Sequence, residues 1–484
     1  MGVYNMTGVR TTHKDYDALS PKVKRCRDII AGEDAVHAAG ETYLPKLQDE
    51  TDSGYKKRLD RSDFFNASWR TIAGLKGMAF RKAPTVTVPD GLKPLLDDVT
   101  MAGVRLDALA GSIVEDVLSV GRIGLLVDHP PRPANVEAIT VNAAQAMGLR
   151  PMMQVYPTES VINWRFARIN NQWTLALVVL KESANVSEDE FEEKVEDRFR
   201  VLDLIPNALG EWTYRQRLFR INDKGEDEQI GDDIFPLMNS KTLPYIPFRI
   251  VSACGTADGV DDPPLIDLID ANKAHYQVNS DYRHGLHFTG LPTPYVTGYQ
   301  QDPAAPDSFY IGSSAAWVFA QPEAKVGFLE FTGQGLGAME KALEKLERRM
   351  AVLGARMLAD ETQAAAETLG GTQIKRAGEN SILADIVISV SEAIEWALRI
   401  FAEWAGVSGE ISYSINREFL PVMLDAQQLT ALVGAWQQGA LSEGELFENL
   451  KRGDVIDSAK TLDEHQEEVG QGGPARPAKP GLAA

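Results

Sequence analysis

Between residues 334 and 358, Leu336, Met339, Leu343, Leu346, Met350, Leu353 and Met357 recur at alternating spacings of three and four. This is an a/d seam sustained over about three heptads. Only a long helix with a partner along its length buries such a seam. At ~1.5 Å of rise per residue the helix is about 37 Å long. Glu340 and Glu347 fall at e, and Arg349 and Arg356 at g, so opposite charges border the seam. Lys341, Lys345 and Arg348 lie on the same helix away from it.

Two further helical patterns flank this one. Pro263-Pro264 opens the first, which runs from Leu265 to about Phe288, with Leu265, Leu268, Ile269, Asn272, Tyr276, Asn279, Tyr282 and Leu286 as one stripe. Residues 291–331 are rich in Pro, Gly and aromatics and read as a small β-containing insertion. After the heptad helix comes an Ala/Thr/Gly-rich stretch, Glu361 to Gly378, that includes Thr362, Gly370-Gly371, Lys375 and Arg376. The third helix runs to about Trp404 with Leu383, Val387, Val390, Ile394, Leu398 and Phe401 on one face, and Gly406 ends it.

Upstream, residues 1–16 read as a mobile arm, and Ser20-Pro21 as the N-cap and first position of a helix reaching Ile30. Residues 55–80 read as a single helix, and Leu106 to Val120 as another, stopped by Gly121. Ile123 to Val127 is a short apolar run between turn signals, hence a buried strand. From about 150 to 253 the texture is β-rich, with eight carboxylates between Glu182 and Asp197 that read as a solvated loop. Residues 407–468 hold a strand-like Ile411–Ile415 and two or three small acidic helices. Residues 470–484 have the Gly/Pro/Ala composition of a disordered tail.

Composition excludes several classes. The 484 residues, 44% hydrophobic and 24% charged, suit a globular protein of two to four domains. No window approaches the ~18 uncharged apolar residues of a membrane span, and residues 1–20 lack a signal-peptide core. Two distant cysteines, Cys26 and Cys254, argue against a disulfide framework. A net charge of −20 is the opposite of the basic footprint that grips phosphates.

Motifs for chemistry fall short. Gly333-Gln-Gly335-Leu-Gly337 follows a strand-like run and opens a helix, but Ala338 stands where a dinucleotide fingerprint needs glycine, and no βαβ unit surrounds it. His284 and His287 share a helix face, whereas His275, nine residues back, lies roughly opposite. No HExxH, GxSxG or Walker A string is present. These residues imply no catalytic centre, no metal and no cofactor.

A dispersed set of residues does carry a resemblance. It comprises Tyr43-Leu44-Pro45-Lys46, Tyr55, Arg58-Leu59, Arg61, Phe65-Asn66, Arg70-Thr71, Gly74-Leu75, Gly77-Met78 and Phe80-Arg81-Lys82. Gly121-Arg122, Leu126-Val127-Asp128, Ile162-Asn163-Trp164-Arg165, Ile246-Pro247-Phe248 and Phe331-Thr332-Gly333 complete it. As a set, from about residue 40 to 465, it resembles the portal (head-to-tail connector) proteins of tailed bacteriophages, in a subfamily labelled only as a domain of unknown function.

That resemblance implies an α+β subunit with a wing, a two-helix stem, a β-containing clip, a long spine helix and a small helical crown. The corresponding limits are an arm and first helix over 1–40, wing 41–263, stem helices 264–290 and 332–358, and clip 291–331. The channel loop follows at 359–378, spine 379–406, crown 407–468 and tail 469–484. It implies a non-enzymatic ring of twelve copies at one capsid vertex of the virion, made in the host bacterial cytoplasm and independent of membranes. The implied partners are the terminase large subunit, a head-completion adaptor, major capsid and scaffold proteins, and double-stranded DNA in transient, sequence-independent contact. Glu340, Glu347, Arg349 and Arg356 then become candidate inter-subunit charges, although the seam equally suits packing within one subunit. Lys341, Lys345, Arg348, Thr362, Gly370, Gly371, Lys375 and Arg376 become candidate channel residues; for the three on the heptad helix a solvated outer face is the competing reading. Another self-assembling phage component, or a divalent-metal-dependent cytoplasmic enzyme, are the alternative functions.

Overall fold

The computed structural model describes residues 8–472, except 131–146, 188, 208–209, 254–259, 261, 292, 300–316, 318, 320–321, 330–332, 357–380, 420–425, 454 and 457–459. The fold is mixed α+β and divides into two compact units. One gathers residues 1–27, 70–266 and 354–484; the other, residues 28–69 and 267–353. The expected limits cut differently, since the helical start of the wing groups with the two long helices.

In the first unit, a three-stranded antiparallel sheet places Arg122–Asp128 between Phe248–Ser252 and Met152–Pro157. All seven residues of the central strand are buried. Gly124 lies under the Phe248 ring, where a Cβ would meet Cζ at 2.6 Å. The helices Leu106–Val120 and Ile382–Ala405 pack against each other and on this sheet. Ile382–Ala405 buries thirteen residues, Leu383, Val387, Val390, Ile394, Leu398 and Phe401 among them. Ser381 caps its start and left-handed Gly406 its end. Ser412–Ser414 pairs with Thr85–Thr87.

A five-stranded antiparallel meander forms the rest of the β region: Val161–Ile169, Gln172–Asn185, Val195–Pro206, Trp212–Ile221 and Asp227–Ile234, in that spatial order. Asn170 and Asn171, both at positive φ, turn the first hairpin. The acidic run Glu182–Asp197 is only partly a loop, because its two ends are paired strand. Glu182 is drawn into the sheet by Arg200, Nε to Oε1 at 2.6 Å, and by the Tyr156 hydroxyl at 2.7 Å.

Three local readings of the sequence are corrected. Residues 8–13 are a strap rather than a mobile arm. The Val9 N–H and Arg10 Nε donate to Asp227 at 2.6 and 3.0 Å, and the His13 N–H donates to the Ile162 carbonyl at 2.9 Å. The His13 ring stacks on Trp164 at 4.2 Å, while Val9 and Tyr16 cover Ile162, Val179, Phe199 and Val201. Since Ile162 and Asp227 belong to opposite edge strands, the strap crosses five strands, about 19 Å at ~4.8 Å per spacing.

Second, the first helix spans Lys14–Ala31 with Pro21 inside it. Tertiary bonds override the proline: Tyr16 donates to the Glu159 carbonyl at 3.1 Å, and Arg27 grips Asp116 and Glu159. Third, residues 55–80 are two helices, Asp52–Leu59 and Ala67–Ala79. Asn66 separates them by accepting from the Trp69 N–H at 2.9 Å, as an N-cap does.

Candidate assembly elements

In the second unit the long helices Ile266–Gly290 and Leu336–Arg356 flank an antiparallel hairpin, Thr293–Thr297 with Lys325–Leu329. The two helices run antiparallel. A Cβ on Gly285 would meet Leu336 at 2.7 Å, and His275 Nε2 lies 3.5 Å from Glu347 Oε1, so both contacts fit one register. Polar bonds fasten the first helix to the 28–69 segment. Asn272 accepts from the Ser68 N–H at 3.0 Å and donates to the Phe65 carbonyl at 2.9 Å. Gln277 donates to the Tyr43 carbonyl and Asn279 to Asp63.

The centre of this fastening is Arg58, 2% exposed on a helix of otherwise polar surface. Its Nε and Nη2 donate to Glu50 at 2.9 Å each, Nη2 also to the Pro45 carbonyl at 2.7 Å, and Nη1 to Ser280 at 3.4 Å. Arg58 hydrogen bonds hold the Glu50 carboxyl below its ordinary range. Burial pulls the guanidinium down, but Glu50 outweighs it and the net shift is upward. Burial lowers His284, which stacks edge-on against Phe288 at 4.7 Å. The Tyr43 hydroxyl donates to Asp28 at 2.8 Å. Several residues behind the portal resemblance are therefore structural fasteners.

Of the seam, Met350 is buried and Leu336, Met339, Leu343, Leu346 and Leu353 are partly covered. Met357 lies outside the described residues. Glu340, Lys341, Lys345, Glu347, Arg348 and Arg349 are exposed. Glu347 faces His275 of its own unit rather than standing free. Arg348 pairs with Glu344 at 3.9 Å, an interaction screened at its exposure. Arg356 closes the helix, and its side chain is not described. Thr362, Gly370, Gly371, Lys375 and Arg376 fall outside the described residues. Among the described residues no three His, Cys, Asp or Glu side chains converge as a metal site would require.

The hairpin between the long helices is open to solvent on both faces. Tyr295, Val326, Phe328 and Leu329 are each about half exposed or more, as are Phe288 and Leu291 beside it. A two-stranded hairpin with this surface is marginal alone and acquires a face only against something else. Sequence periodicity marked the two helices and the insertion. It placed Asn272 in the helix stripe without showing that its partners Ser68 and Phe65 lie about 200 residues away, and it gave no sign that Arg58 is buried.

A family described as "Domain of unknown function (DUF4055)" matches residues 264–405. No curated protein matches. Among solved structures, the chain is similar to one from "Virion of native gene transfer agent (GTA) particle". That match has 13% identity and a TM-score of 0.36, covering 91% of this chain and 99% of that one. It is also similar to one from "Neck of native GTA particle computed with C12 symmetry", at 12% identity and TM-score 0.38, covering 81% and 92%. A third, from "Neck of empty GTA particle computed with C6 symmetry", has 12% identity and TM-score 0.37, covering 85% and 92%.

Proposed function

We propose that this chain is the subunit of a portal, a head-to-tail connector ring of a tailed-phage particle that conducts double-stranded DNA and is not an enzyme. The observation that carries the reading is the order of elements within residues 266–405. Two long antiparallel helices flank an exposed hairpin and precede a third long helix that is buried along one face. This is the order of stem, clip, stem and spine implied by the sequence resemblance. On this reading the hairpin meets the packaging motor, and residues 359–378 reach the channel.

The acidity suits a conduit. Twelve copies of a −20 chain carry about −240, which repels phosphates and keeps DNA from sticking during passage. Lys341, Lys345 and Arg348 are exposed cations on the second stem helix away from the seam, and on this reading they make the loose phosphate contact. Electron microscopy of the purified chain tests the reading. The expected outcome is a closed ring with a central hole, about 640 kDa for twelve 53.1 kDa subunits. A small oligomer with no hole overturns it.

A further inference from the structure

Phe191 and Trp173 are the two most exposed aromatic side chains among the described residues, 90% and 64% open, and both belong to the five-stranded meander. Phe191 tips the hairpin between Gln172–Asn185 and Val195–Pro206. The turn is built without its ring. The Ser187 N–H donates to Asn185 Oδ1 at 2.8 Å, the Lys194 N–H to Ser187 Oγ at 2.6 Å, and the Val186 N–H to the Lys194 carbonyl at 2.8 Å. Folding asks nothing of the phenyl group, which gains only from a surface that covers it. The other five residues of 188–193 are all carboxylates. Glu190, Glu192 and Glu193 are exposed, with no ion pair among the described residues.

Trp173 offers the complement. It stacks on Phe166, with ring centroids 6.3 Å apart and planes at 13°, and it pairs across the strands with Arg168. Arg165 and Arg168 are exposed, without an ion pair among the described residues. No carboxylate lies anywhere from Val161 to Lys181. The 8–13 strap bonds this edge strand at Ile162 and Asn163, toward its other end. Tip and patch share the long strand Gln172–Asn185, the patch at its start and the tip beyond its end. From Trp173 to Asn185 an extended strand runs about 40 Å, at ~3.3 Å per residue. A subunit therefore cannot cover its own patch with its own tip, whereas a neighbour can. Two arginines on a chain of −20 hold phosphates poorly but match carboxylates that flank a ring.

We propose that tip and patch form a contact between successive copies of this chain: the Phe191 ring of one subunit stacks on Trp173 of the next, and Glu190, Glu192 and Glu193 face Arg165 and Arg168. Opposite charge at the rim orients the approach, and the aromatic centre holds it. The two surfaces differ, so the contact is heterologous and propagates head to tail. It rests on the ring reading for closure but not for the pairing itself.

Charge exchange tests it. Glu190→Lys, Glu192→Lys and Glu193→Lys together make tip and patch both basic, while Arg165→Glu with Arg168→Glu makes both acidic. Each variant alone should lose self-association at least tenfold, with far-ultraviolet circular dichroism unchanged because every position is exposed. Phe191→Ser should do the same at unchanged charge. Mixed one to one, the two charge variants should assemble again in alternation, since the basic tip of one meets the acidic patch of the other and the remaining tip and patch are native. Variants that associate like the wild-type chain, or a mixture that stays apart, overturn the contact. So does a wild-type chain that remains monomeric at low salt. An arginine variant that assembles normally but loses DNA binding at low salt also overturns it, and makes the patch a nucleic-acid surface. Open filaments of wild-type chain with rescue on mixing uphold this contact while overturning the ring.

Discussion

At the scale of the residue, two buried charges respond to pH in opposite directions. Arg58 and Glu50 form a buried, hydrogen-bonded pair, 2% and 8% exposed. Removing one partner leaves the other charge uncompensated, so Arg58→Ala is expected to cost about 3–5 kcal/mol in urea denaturation. Arg58→Lys should recover only part of this, because an ammonium lacks the fork that reaches Glu50 twice. Glu50 has a lowered folded pKa, so its contribution is complete above the unfolded value of about 4.3 and is lost as pH falls through the folded one.

Asp128 is the reverse. Burial raises its carboxyl, although the His129 and Gln216 N–H groups partly offset this. Its contribution is complete below about pH 3.9 and is lost as pH rises through the raised folded value. The denaturation midpoint of Asp128→Asn should therefore gain on that of the wild type as pH rises from about 3.9 towards neutrality. A constant difference across that range would place the charge elsewhere.

At the scale of the element, the heptad seam and the buried face of the Ile382–Ala405 helix were legible because local periodicity records burial directly. The β-rich texture was legible too, but not which strands pair at a distance. Ile411–Ile415 alternates and reads as strand-like, but its partner Thr85–Thr87 is only three residues long and more than 300 residues earlier, so nothing local joins the two. The break at residue 66 was within reach, since Asn66 ahead of Trp69, Ile72 and Leu75 is a start signal. The strap was not, because an arm without periodicity is ordered only by the sheet it crosses. Leu343 and Leu346 are partly covered within one chain. Leu343→Asp and Leu346→Asp each place a charge in that seam, with several kcal/mol as the usual scale. Both should lower the thermal midpoint and abolish high-mass assembly. Normal particles from either variant would move the packed seam off this face.

At the scale of the whole molecule, the −20 charge governs encounters with polyanions. The assembled protein is expected to leave duplex DNA unshifted in gels at about 150 mM salt, where phosphate contacts are weakened. Lys341→Glu with Lys345→Glu should remove any residual shift seen at about 20 mM salt. A salt-resistant complex would contradict a loose conduit.

The second compact unit is sewn from two stretches of chain, and this fixes an order of events at the ribosome. Residues 28–69 emerge about 200 residues before 267–353, the stretch they fold against. At about 5–20 residues per second the delay is roughly 10–40 s. Arg58 and Glu50 find each other at once, but Ser62 waits for Ser280, Ser68 for Asn272, and Phe64 for the Tyr276 ring. During that interval the nascent chain carries an unmatched apolar and polar surface. Messages truncated before about codon 290 should yield a protein that depends on chaperones and is readily degraded, even with the 161–234 meander complete.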